Sequence, residues 1–188
     1  MVGDSQMKHS MSITIFLVVL FLAAQYIGLA IVHSYIDVTT TQHTGNLTVY
    51  DLPRIAGVQM DRPQMEENTS VIYIMVAVLV GTGIILLLIK FGRFDIWKIW
   101  FLIVATLCLT FAFGSWLPPM IASLLGIGFA VWKVFKPNFI VHNFTELFIY
   151  GGLAAMMFPI LSVGGAVILL LLISLYDMYA VWHSKHMV

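Results

Sequence analysis

Asp177 is the residue best placed to do chemistry, because it interrupts the apolar run Ile173-Ser174-Leu175-Tyr176-Asp177-Met178-Tyr179-Ala180-Val181. Carrying a carboxylate into hydrocarbon costs roughly 2.5 to 3.5 kcal/mol on insertion scales, so an acid in such a run is read as a functional site in need of a named partner. On a helix Asp177 shares its face with Leu170, Ile173, Ser174, Ala180, Val181 and Ser184. Small residues on that face let another helix approach closely, which makes Ser174, Ala180 and Val181 the candidates for contact with a substrate or a neighbouring helix. Eight residues separate Asp177 from Lys185, about 12 Å of helix, which sets the carboxylate inside the membrane towards one rim. A second acid, Glu146, stands ten residues beyond Lys136, about 15 Å if helical. His142 lies one turn before it, and the two together could hold a cation, pass protons, or simply bond a neighbouring helix. His183 and His186 have a spacing that suits a metal, but no third ligand accompanies them, so neither a metal nor a cofactor is expected.

The elements that must position these groups follow from composition. Of the 188 residues, 61% are hydrophobic and 10% charged, with a mean hydropathy of +0.98, which excludes a soluble domain and points to an integral membrane protein with the lipid bilayer as its first partner. The formal net charge is zero, so no nucleic-acid partner is expected. The one cysteine, Cys108, cannot form an internal disulfide. Runs long enough to cross a membrane fall at 12–36, 71–89, 97–115, 118–135, 139–158 and 161–182. Pro118-Pro119, Lys136-Pro137-Asn138 and Pro159 with Gly164-Gly165 separate the last four of them. The expectation is an all-α polytopic protein, one transmembrane domain over 1–188, with six transmembrane helices.

Charge sets the expected direction. Lys8, Lys90, Arg93, Lys98, Lys133, Lys136 and Lys185 fall on one side and only Arg54 and Arg62 on the other, so the positive-inside rule places both termini in the cytoplasm (N-in, C-in) of a cell-membrane protein. Trp97, Trp100, Trp132 and Trp182 then lie at the inner interface and Trp116 at the outer one. The long polar connection 37–70, which carries the glycosylation sequons at Asn46 and Asn68, is outside and reads as a solvated link. Gly151-Gly152, Ala154-Ala155 and Gly164-Gly165 are expected to let the fifth and sixth spans pack closely or flex.

The run Ile-Ser-Leu-Tyr-Asp-Met-Tyr-Ala-Val resembles the sixth-helix motif of the presenilin family of intramembrane aspartyl proteases, in which Tyr-Asp carries one of two catalytic aspartates and Ala-Val follows. The continuation Lys185-His186-Met187 is similar to the archaeal members. Six helices that start on the inside, with a polar loop after the first, match helices 1 to 6 of the presenilin fold. The resemblance implies that Asp177 is a catalytic aspartate and Tyr176 its neighbour in the site, and that the activity is endoproteolysis of transmembrane peptide substrates. It also implies a partner, because the family's second aspartate sits in a Gly-x-Gly-Asp motif on a seventh helix and a Pro-Ala-Leu motif on a ninth. Neither is present here: Gly81-Thr82-Gly83 is followed by Ile84 and lies within the second span. The chain therefore reads as an N-terminal half, inactive alone, that needs a C-terminal half to supply the second carboxyl. The alternatives are a six-helix proton-coupled transporter or channel subunit that uses Asp177 and Glu146, and a non-catalytic scaffold for transmembrane helices. The zinc-protease and membrane serine-protease motifs are absent.

Overall fold

The structure is a computed structural model that describes residues 11–44, 49 and 67–184. Among the described residues the chain forms seven α-helices: α1 (Met11–Ser34), α2 (Val38–Thr44), α3 (Glu67–Lys90), α4 (Phe94–Gly114), α5 (Pro119–Phe135), α6 (Phe139–Met157) and α7 (Val163–Ser184). Six of them coincide with the six apolar runs to within a few residues. Four contain stretches long and apolar enough to cross a membrane: Ile13–Ser34, Thr69–Lys90, Phe94–Gly114 and Phe139–Met157. Pro119–Phe135 and the apolar stretch Val163–Tyr179 of α7 are shorter.

Local chemistry sets the boundaries. Gly92 adopts φ 65° after α3, and its N–H and that of Arg93 bond back to the carbonyls of Ile89 and Leu88. This is the left-handed closure that glycine adopts without a Cβ penalty. Pro119 opens α5, where its missing N–H leaves no helical bond unmade. Asn138 caps α6 by accepting from the N–H of Ile140 at 3.2 Å, and the Ser162 hydroxyl caps α7 by accepting from the N–H of Gly165 at 3.0 Å.

Helix α2 departs from the sequence reading, which takes 37–70 as a solvated link. Asp37 caps the start of α2: its carboxylate accepts from the Thr39 hydroxyl (2.7 Å), the Thr40 hydroxyl (2.6 Å) and the Thr40 N–H (3.1 Å), and among the described residues a single bridge joins Ile36 to Val49. The two sequons lie outside this ordered start; Asn46 is outside the described residues. The Thr40 hydroxyl, then that of Thr39, holds the Asp37 carboxyl down at about 2, because hydrogen bonds to the charged form favour it. A depressed folded pKa means that the cap contributes fully above the ordinary value of 3.8 and is lost as pH falls towards about 2. A titration of the Asp37 side-chain carbon by NMR is expected to give a midpoint near 2; one near 3.8 would show the cap to be absent.

The core gathers around α4, which packs against α5 on one side and α6 on another, while α1 lies along α6. Leu109, Phe111 and Ala112 of α4 are fully buried against Ile31 of α1, Ala122 and Ala130 of α5 and Ala155 of α6. Phe113, Phe129, Phe144 and Phe148 join α4, α5 and α6 through ring contacts of 4.9 to 5.8 Å, within the range where tilted aromatic pairs attract. At the far end of α1, the Tyr35 hydroxyl donates to the Phe111 carbonyl at 2.7 Å, in the last turn of α4, where intrahelical donors run out.

The glycine and alanine pairs of α6 act differently from the sequence expectation. They do not seat α6 on α7. Gly151 meets Gly28 and Ile31 of α1, and Gly152 lies against the backbone of Cys108 in α4. A Cβ on Gly152 would overlap the Cys108 carbonyl, whereas nothing lies within 4 Å of a Cβ on Gly128. Backbone cannot move aside as a side chain can, so Gly152→Ala is expected to destabilise by about 1 to 3 kcal/mol and Gly128→Ala to leave the melting temperature in detergent unchanged. Equal melting of the two variants would contradict this packing.

Candidate functional site

Helix α7 runs unbroken from Val163 to Ser184, so Tyr176 and Asp177 are consecutive helical residues on adjacent faces. The partner of α7 is α3. Gly165 makes room for α3: a Cβ there would stand 3.2 Å from the Val71 side chain. Leu169 is buried, and Ile173 and Tyr176 are half-buried along the same stripe, at the spacing of one helix face. Asp177 lies at the edge of that stripe and is exposed, as are Ser174 and Leu170 on its own face.

Close coverage of the Asp177 face by another helix is thus not found. Its face points away from α3, and among the described residues no side chain bonds the carboxylate. Ala180 and Val181 continue the helix along the same side, with their side chains outside the described atoms. His183 is likewise helical with its side chain not described, and His186 lies outside the described residues. Among the described residues no group of three potential metal ligands occurs. Gly81 and Gly83 are interior helical residues of α3, with the Thr82 hydroxyl donating to the Val78 carbonyl at 2.8 Å, so that tripeptide forms no loop.

The structure also assembles a polar cluster that the sequence reading did not connect. Lys133 of α5 is counted there as a cytoplasmic-side charge, and Glu146 of α6 as an open acid. In the fold Lys133 is buried and its Nζ donates to Glu146 Oε1 at 2.7 Å, with 3% of the lysine side chain and 25% of the glutamate exposed. The same Nζ donates to the Thr145 hydroxyl at 3.2 Å and stands 3.2 Å from His142 Nδ1. An ammonium offers only donors, so Nδ1 accepts and the imidazole proton sits on Nε2, which faces Glu146 Oε1 at 3.7 Å. A usable signal was the tilt of side chains towards the helix N-terminus. In two antiparallel helices joined by a short turn, Lys133 leans away from the turn and Glu146 leans back towards it, and a long lysine stem closes the offset.

The cation beside Glu146 is Lys133, so the acid is already partnered across α5 and α6, while Asp177 stands on a helix packed against α3.

Fold and site together define a polytopic α-helical membrane protein with one acid left exposed on its last described helix and a second acid closed into an ion pair. Residues 45–188 match the protein-family model described as signal-peptide peptidase, presenilin aspartyl protease. The chain belongs to that family. The matched span takes in all of α3 to α7, with Tyr176 and Asp177 inside it. Comparison with curated proteins and with solved structures gives no match.

Proposed function

We propose that this chain carries the first of the two catalytic carboxyls of an intramembrane aspartyl endopeptidase, with Asp177 as that carboxyl and Tyr176 beside it. The observation that carries the reading is an acid in the apolar stretch Val163–Tyr179 of α7, exposed and unbonded among the described residues, in a chain of this protease family. A carboxylate facing lipid is costly, so the Asp177 face is one that another helix covers in the working protein. Hydrolysis of an amide by aspartates needs two carboxyls that share one proton: one takes a proton from the attacking water, while the other donates to the carbonyl oxygen. The two then exchange roles as the amine leaves with a proton. Asp177 supplies one member. The 188 residues hold no Gly-x-Gly-Asp, so the second carboxyl comes from a C-terminal half, and this chain is inactive without it.

The substrate is the transmembrane helix of a membrane protein, locally unwound so that a carbonyl can reach the carboxyl pair. Ser174, Ala180 and Val181, on the same side of α7, are the residues it would meet. The six apolar helices are six spans with both termini in the cytoplasm of a cell-membrane protein, because seven of the nine basic residues then fall inside.

The test is a photoactivatable transmembrane peptide in which a hydroxyethylene unit replaces the scissile amide. Its hydroxyl takes the place of the tetrahedral intermediate between two carboxyls, and such mimics bind about 100-fold or more tighter than substrate. Labelling of α7 only when a Gly-x-Gly-Asp half is present supports the proposal. Equal labelling of the chain alone would contradict it.

A further inference from the structure

Helices α1 and α6 leave a groove of about 490 Å³ along their shared edge, a volume within the range of small-molecule sites. Its walls are apolar, with Leu17, Phe21 and Leu29 of α1 facing Leu147 and Ala154 of α6, and three polar residues interrupt them: Gln25, Glu146 and Tyr150. Phe16 and Phe139 stack at 6.0 Å near its lower end, and the approach of Gly28 to Gly151 narrows it higher up. The groove is therefore a bounded cleft with polar groups midway along an otherwise apolar path.

The electrostatics select an occupant. Lys133 donates to Glu146 Oε1 from the far side of α6 at 2.7 Å, so the ion pair is neutral as a unit while the carboxylate keeps acceptor capacity on the groove side. Tyr150, one turn on, interacts with the same carboxylate, and its phenol and the Gln25 amide both donate and accept. No net charge is left to offset an ionic head, and desolvating one at this depth, about 10 Å along α6 from Phe139, would go uncompensated. A hydroxyl, in contrast, finds a charged acceptor and a neutral donor within the same stretch.

We propose that this groove binds a neutral lipid with a hydroxyl head. Its hydroxyl donates to the Glu146 carboxylate held by Lys133 and accepts from Gln25 or Tyr150, and its apolar body lies against Leu17, Phe21 and Leu29. The site is separate from Asp177 and does not depend on the protease reading.

The test uses the full 188-residue chain in phosphatidylcholine nanodiscs with a diazirine-bearing long-chain alcohol, and cross-links mapped by mass spectrometry. Cross-links are expected to concentrate in 17–29 and 146–154, with oleyl alcohol competing and oleate not. Gln25→Leu with Tyr150→Phe removes both candidate donors to the lipid hydroxyl and is expected to weaken labelling about tenfold. It keeps the Lys133–Glu146 pair, so the fold is retained. Ala24→Phe, which fills the groove, is expected to abolish labelling. Cross-links spread evenly over all lipid-facing helices, equal competition by oleate, or wild-type labelling of both variants would each overturn the proposal.

Discussion

Asp177→Asn is expected to lower hydrolysis of a transmembrane peptide by about four orders of magnitude or more in the assembled two-half protease, roughly 5.5 kcal/mol of lost transition-state stabilisation. Asparagine keeps the shape and the hydrogen-bonding capacity of the side chain but can neither take the proton of the attacking water nor share one with a second carboxyl. Because Asp177 is exposed on α7 and has no partner among the described residues, the substitution removes no contact described within this chain, and the folding of the chain itself is expected to be unchanged. Thr82→Ala is the control, since its hydroxyl only returns to the Val78 carbonyl of its own helix. Initial rates in proteoliposomes, normalised to folded protein, measure both. Activity of Asp177→Asn within tenfold of wild type would remove Asp177 from the catalytic pair.

The second large effect is on stability and comes from Lys133. Lys133 is almost fully buried, and Glu146, Thr145 and His142 satisfy its ammonium. Glu146→Gln leaves that charge buried without its counter-ion, and breaking a buried pair from one side costs about 3 to 5 kcal/mol. The quarter exposure of Glu146 puts the expectation at the lower end, about 3 kcal/mol. Lys133→Met with Glu146→Leu removes both charges together, and its stability is expected within about 1 kcal/mol of wild type, because the pair's attraction is nearly offset by its own desolvation. Unfolding in mixed micelles of Lys133→Met, Glu146→Leu and the double variant closes the cycle. Additive losses in the double variant would mean that the two side chains do not act as a pair.

Much of the architecture was legible because one physical rule dominates it. Apolar length located all six long helices, from α1 to α7, and proline and glycine marked their ends: Gly92 needs its positive φ, and Pro119 stands where no N–H is required. The order of packing was not legible. Apolar faces are all alike in hydropathy, so nothing local told that Gly152 serves α4, Gly151 serves α1, and Gly165 serves α3. Contacts between distant segments decide that. Helix α2 was missed because one apolar residue among seven gives no apolar period; Asp37 followed by Thr39 and Thr40 was the available sign of a cap.

The site divides in the same way. Asp177 stood out as a charge in an apolar run, which needs no knowledge of neighbours. Its surroundings did need that knowledge, and the close helix expected over it is not found among the described residues. Glu146 stood out for the same reason, and the bond to a neighbouring helix expected for it is found, though the sequence did not single out its partner. His142, near in sequence, drew attention from Lys133, which is thirteen residues away and closer in space. A lysine near a helix end is ordinarily read as snorkelling to water, and here its stem turns inwards.

The central claim is that Asp177 is one half of a carboxyl pair completed by another segment. Cleavage of a transmembrane peptide in proteoliposomes, by the 188-residue chain alone and by the chain assembled with a Gly-x-Gly-Asp half, tests it most directly. No turnover from the chain alone, and turnover from the assembly that disappears when either aspartate becomes asparagine, is the expected result. Turnover by the chain alone that Asp177→Asn abolishes, or turnover by the assembly that survives Asp177→Asn, would contradict it.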